Sequence, residues 1–179
     1  MSLNSNIQNV YRIAEFLASQ KECDTCNLCE KNVGLVYLLD NEFENIKRHN
    51  LEISSTNNGT DFLSRTRDGW CSAFDHVRNR CTIYNDRPLC CRIYPFDLMN
   101  FDREFWWVIF YECPIAQRFF TEKKEDILMA FTYSLEREMG DMLISEFIRE
   151  DSISQHIDAF TGETPRVKKL RKFGSPPIF

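Results

Sequence analysis

Apolar side chains recur at helical spacing near the start of the chain. Between residues 6 and 19, Ile7, Val10, Tyr11, Ile13, Ala14 and Leu17 fall close to a three- and four-residue repeat, which predicts an amphipathic helix. The repeat stops at residues 21–32, KECDTCNLCEKN, a polar segment with cysteine at every third position. Residues 33–39, VGLVYLL, form a short apolar run that reads as a strand, and Asp40 stands where the N-cap of a helix over about 41–50 would stand. Residues 54–60, SSTNNGT, read as a turn or loop. Two short strands are expected around 61–66 and 70–74, and residues 75–100 read as mostly irregular. Residues 101–114 look like a strand, nearly continuous in apolar content from Phe105 to Tyr111 and so expected to be buried on both faces. From Ile115 to about Ile148 the spacing is helical again, as two helices broken near Gly140. Residues 161–179 read as a basic, flexible tail containing Gly and Pro.

Composition makes this pattern foldable. Hydrophobic residues are 43% of the 179, aromatics 13%, with 15 Phe, which is enough for an ordinary core. One domain over residues 1–160 follows, with a cysteine-rich region at 23–114 and a helical region at 115–160. The fold class is α+β: helices at both ends flank an irregular, cysteine-rich centre with a few short strands. The formal charge of −5 argues against nucleic acid as a partner, because such binding needs a net basic footprint. No run approaches the roughly 20 apolar residues of a membrane helix. The first residues show neither a basic region nor an apolar stretch of signal-peptide type, so a cytoplasmic location is expected, where thiols stay reduced.

Eight cysteines in such a chain point to metal or redox chemistry more than to disulfides. Cys23, Cys26 and Cys29 repeat with two residues between them. Three thiolates so spaced cannot share one helix face, but a loop can wrap them around a metal. A zinc site usually takes two ligands from one such knuckle. Three in a row is the habit of a [4Fe–4S] cluster, with a fourth thiolate supplied from a distant cysteine. Iron–sulfur is therefore the first reading of the cofactor and zinc the alternative.

A second group is dispersed. Trp70-Cys71-Ser72-Ala73-Phe74 precedes Cys81-Thr82-Ile83-Tyr84, which leads into Arg87-Pro88-Leu89-Cys90-Cys91-Arg92-Ile93-Tyr94-Pro95-Phe96, and Cys113-Pro114 follows later. With the triplet, this pattern resembles the YkgJ-type cysteine cluster family. That family is described as a zinc- or iron-chelating domain and includes the domain found in flagellin lysine N-methylases. The resemblance spans about residues 23–114 and is most specific over Cys81–Phe96. It implies Cys23, Cys26, Cys29, Cys71, Cys81, Cys91 and Cys113 as metal ligands, with Arg87, Pro88, Arg92 and Pro95 as framework. One departure stands out: the family's triplet is usually followed at once by a fourth cysteine, and Glu30 occupies that place. Cys90 is an extra thiol.

Arg87 and Arg92 are close enough in sequence to the ligands to bind the cofactor's surroundings. A tetrathiolate centre is anionic, and donors to its sulfurs tune it. His76, between Cys71 and Cys81, could complete a Cys3His zinc site. Trp106 and Trp107 read as core strand residues.

Three functions fit. The first is an iron–sulfur protein in electron transfer, or a module of a larger assembly with a protein partner. The second is a zinc-stabilised structural or interaction domain without catalysis. The third, implied by the resemblance alone, is a part in protein-lysine methylation. No Gly-rich nucleotide loop supports an independent enzyme.

Overall fold

The computed structural model describes residues 3–20, 22, 26–29, 36–56, 59–151 and 167–176. In chain order its elements are α1 (Leu3–Ala18), β1 (Val36–Tyr37), α2 (Phe43–Lys47), β2 (Ile53–Ser55), β3 (Asp61–Leu63), β4 (Phe74–Asp75), β5 (Arg80–Cys81), α3 (Leu89–Ile93), β6 (Phe96–Phe101), β7 (Glu104–Phe110), α4 (Pro114–Thr121), α5 (Glu125–Asp151) and β8 (Val167–Lys172). Helices and short antiparallel sheets alternate, so the class is α+β as the sequence implied.

Two cores divide the molecule. In the first, the apolar stripe of α1 buries Val10, Ala14 and Leu17 against Leu128, Leu135 and Met139 of α5 and one face of the β6–β7 ladder. Register explains that face: Phe96 lies opposite Ile109, Leu98 opposite Trp107, and all four are buried. Each large side chain so buried contributes about 1.5–3 kcal/mol. In the second core, the β1–β3–β2 sheet and the β4–β5 hairpin close over Val36, Ile46, Leu63, Cys71, Cys81 and Ile83. The short helix α3 lies between them. Its Leu89 and Ile93 belong to the first core, and Cys90 packs against both.

The β6 strand was hidden in a segment expected to be irregular. The reason lies in its turn. Asp102 and Arg103 link β6 to β7 with φ of 54° and 70°. That is the two-residue conformation of a type I′ hairpin, which Asn-Gly or Asp-Gly usually signals. Arginine at the second position gives no such signal, so residues 101–104 read as strand rather than turn. The helix expected at 41–50 is shorter, at Phe43–Lys47, and Glu42 rather than Asp40 precedes it. The helical region breaks where expected, with Gly140 at φ 67° and ψ 167° inside α5.

The expectation of a flexible basic tail fails over residues 167–172. They form β8 and pair antiparallel with β7, with a register shift between Trp107 and Val108. The basic residues are matched there. Lys172 Nζ lies 2.6 Å from Glu104 Oε1, and Lys168 Nζ lies 3.3 Å from Glu125 Oε2 and 3.8 Å from the Phe120 ring centre. Among the described residues no helix is long and apolar enough to cross a membrane.

Candidate metal centre

Five of the seven predicted ligands, Cys26, Cys29, Cys81, Cys91 and Cys113, line one cavity of about 100 Å³. A single water needs only about 10–15 Å³, so the space exceeds that of one small ion.

Local structure explains each placement. Cys26 N–H donates to Glu22 O at 3.1 Å, and the Glu22 carboxylate lies 2.5 Å from Arg118 Nε of α4. Arg118 also donates to Gln20 Oε1 at 2.6 Å, so the cysteine loop is moored to the helix that begins after Cys113. Cys81 is fixed by pairing opposite Phe74 in the β4–β5 hairpin. Cys91 sits in the first turn of α3, its N–H donating to Pro88 O at 3.0 Å. Cys113 is the N-cap residue of α4, with Pro114 at the first helical position, where proline's missing N–H costs nothing. Tyr94 reports how these parts meet. Burial pushes its phenol pKa up, and Cys113, Cys29 and Cys26 push it the same way electrostatically, in keeping with Tyr94 lining the same cavity as these three cysteines.

Other predicted residues lie away from the cavity wall or outside the described residues. Cys71 is buried in the second core beside Cys81 and bridges Arg65 across the backbone, away from the cavity lining. Cys23 and Glu30 lie outside the described residues. Cys90 points to β1, its thiol donating to Tyr37 O at 3.3 Å. His76 is exposed, with its ring edge-on to Trp70 and to Phe74, 5.0 Å from each, and is not part of the cavity wall. Trp107 is a buried strand residue, as expected.

Arg87 and Arg92 both line the cavity. Arg87 stacks on the Tyr84 ring at 3.6 Å and donates through Nε to Tyr84 O at 2.8 Å. Arg92 lies 4.1 Å from the Tyr11 ring centre and donates to Arg87 O at 2.7 Å and to Asn85 O. A third arginine, Arg80, joins the lining, and no Asp or Glu does so among the described residues. Sequence reasoning passed over Arg80, which belongs to no spacing pattern.

The donor chemistry fits a thiophilic metal: five thiols, three guanidiniums and no carboxylate around one space. The geometry is looser. Among the described residues, no three His, Cys, Asp or Glu side chains are close enough together to hold one ion. Thiolate ligation at about 2.3 Å would require the cysteine loop and its neighbours to draw inward.

A carboxylate that the sequence did not flag bonds to the start of α3, the helix that carries Cys91. Glu42 is 5% exposed. Its Oε1 accepts from Tyr11 Oη at 2.8 Å and from Leu89 N at 2.6 Å, and its Oε2 accepts from Leu39 N at 3.0 Å. Burial pushes its pKa up to about 7, against the pull of those three donors. Nothing in the local sequence distinguishes it from an ordinary acidic residue at a helix start.

Comparison with family models gives a match over residues 22–125, to CxxCxxCC, described as a "putative zinc- or iron-chelating domain". Comparisons with curated proteins and with solved structures give no match.

Proposed function

The chain belongs to the CxxCxxCC family of zinc- or iron-chelating domains, and from that premise we propose that its clustered cysteines hold a [4Fe–4S] cluster. The observation that carries this reading is the cavity wall: thiols from the loop after α1, from β5, from α3 and from the start of α4 face one space that, among the described residues, has neither histidine nor carboxylate in its lining. An all-thiolate donor set suits iron–sulfur and disfavours a Cys3His zinc site. Cys23, Cys26 and Cys29 supply three thiolates in this reading, and Cys91 or Cys113 the fourth. Arg87 and Arg92, held by backbone carbonyls and aromatic faces, offset the centre's negative charge. A bound cluster would supply one-electron transfer, and the chain's role is then to pass electrons to a protein partner in the cytoplasm, or to serve as a module in an assembly.

Purification without oxygen, followed by iron, zinc and acid-labile sulfide analysis with a visible spectrum, tests this. The expected result is a brown protein with iron and sulfide in equal amounts and a broad absorption that bleaches with dithionite. A colourless protein with stoichiometric zinc and no sulfide would overturn iron–sulfur and leave the zinc-stabilised domain.

A further inference from the structure

Glu42 opens α2 through its backbone carbonyl, which accepts from Ile46 N at 3.0 Å, but its side chain makes no cap bond to that helix. Its carboxylate reaches instead to the first N–H of α3, the helix that carries Cys91 and Arg92. It is also the acceptor for Tyr11 of α1 and for the backbone at Leu39. Three elements are thus tied at one buried group, and all three partners are donors. An ionised carboxylate accepts all three as charge-assisted bonds, whereas a protonated one accepts them as weaker neutral bonds and adds a buried O–H that needs an acceptor of its own. Other groups bear on the same point. Arg92 acts on Glu42 from α3, and its guanidinium lies over the Tyr11 ring at 4.1 Å. Cys90, also on α3, acts electrostatically on Tyr11.

We propose that Glu42 is a positioning residue for the metal centre, its ionised carboxylate holding α3 so that Cys91 and Arg92 face the cavity. Protonation relieves the buried charge but weakens the three bonds at the joint, and the bond to Leu89 N–H is the one that sets where α3 begins. Metal retention then depends on a group that ligates nothing. This inference rests on the proposed metal centre, and its failure is separable from the failure of that reading.

The test is the rate of metal loss to a chelator in excess, measured from pH 6 to 9 on the metal-loaded full chain. Protonation of the thiolates accelerates loss at low pH in every variant, so the ratio of Glu42→Gln to wild type is what matters. The amide mimics the neutral acid. The expected ratio is near one at pH 6 and at least threefold at pH 8.5. Tyr11→Phe removes one donor from the carboxylate, which raises its pKa, so the wild-type inflection should move to higher pH with the amplitude kept. That shift is one a purely structural role would not produce, and it serves if Glu42→Gln does not fold. A ratio of one throughout, or an inflection unmoved by Tyr11→Phe, overturns the inference while leaving the centre in place. A wild-type chain that holds no metal overturns the centre itself.

Discussion

Arg171 Nη2 lies 2.5 Å from Glu136 Oε2, joining β8 to α5 in a site where Arg171 is only 5% exposed. The pair is fully furnished. Glu136 also accepts from Trp107 Nε1 at 2.8 Å and from Gly174 N at 3.0 Å, and Arg171 donates to Thr132 Oγ1 and O, both at 3.1 Å, and to Ser175 O at 2.6 Å. Strand, helix and the chain after β8 meet at this point.

Removing one partner leaves the other charge buried. Arg171→Ala or Glu136→Ala should therefore each destabilise the protein by about 3–5 kcal/mol, read from urea denaturation midpoints. Lys172→Ala, whose partner Glu104 is half exposed, should cost far less. If the Arg171 variant unfolds like wild type, β8 is not anchored as described.

Glu42 gives the fold a pH dependence of defined sign. Its ordinary pKa of 4.5 is pushed up to about 7 by burial, so between those values the folded chain binds a proton that the unfolded chain does not. The stabilisation is complete below pH 4.5 and is lost as pH rises through 7. The shift corresponds to about 3 kcal/mol at most. Asp97, pushed up to about 6 by burial, acts in the same direction over a lower window. Urea midpoints of metal-free protein should fall from pH 5 to pH 8, and Glu42→Gln should flatten much of that slope. A slope unchanged by Glu42→Gln would show that other groups carry it.

Ligation should also carry part of the folding energy. Residues 71–95 contain only two-residue strands and short helical turns, and their cysteines face the cavity or the second core. Structural zinc is worth on the order of 10 kcal/mol in small finger peptides, and a larger domain with its own cores should draw on less. Metal removal, or Cys26→Ser, should lower the melting temperature clearly while far-UV circular dichroism keeps the signal of α1 and α5. An unchanged melt after full metal removal would mean that the thiols are not ligands.

What the sequence disclosed follows from the range of each signal. Val10, Ala14 and Leu17 announce α1 because helical periodicity is local, and Gly140 announces the break in α5 because a positive φ favours glycine. The cysteine motif was legible because the spacings of ligand loops are local as well. The β6–β7 hairpin was not, because its turn uses Asp102 and Arg103 without glycine. Nor was β8: a run of lysine and arginine reads as solvated until Glu136, Glu104 and Glu125 are found opposite it. Glu42 and Arg80 gain their places through contacts or cavity walls formed by segments far apart in sequence. Single-chain patterns carry no trace of such contacts.

Cys90 and Cys91 turn this difference into an experiment. They are adjacent, and the motif alone does not separate their roles. The structure sends their side chains apart. Cys91 lines the cavity, whereas Cys90 packs between the two cores and donates to Tyr37 O at 3.3 Å. Free cysteine in such a place behaves as a small hydrophobe with a weak donor. Cys90→Ala should therefore leave the metal content per chain unchanged and cost about 1 kcal/mol of stability, from lost packing and one weak hydrogen bond. Cys91→Ser should reduce metal content or accelerate its loss to a chelator, because a serine oxygen is a poor substitute for a thiolate on a thiophilic metal. Metal analysis of the two variants, purified side by side without oxygen, decides the matter. Equal metal loss in both would place Cys90 in the ligand set and require α3 to rotate on metal binding.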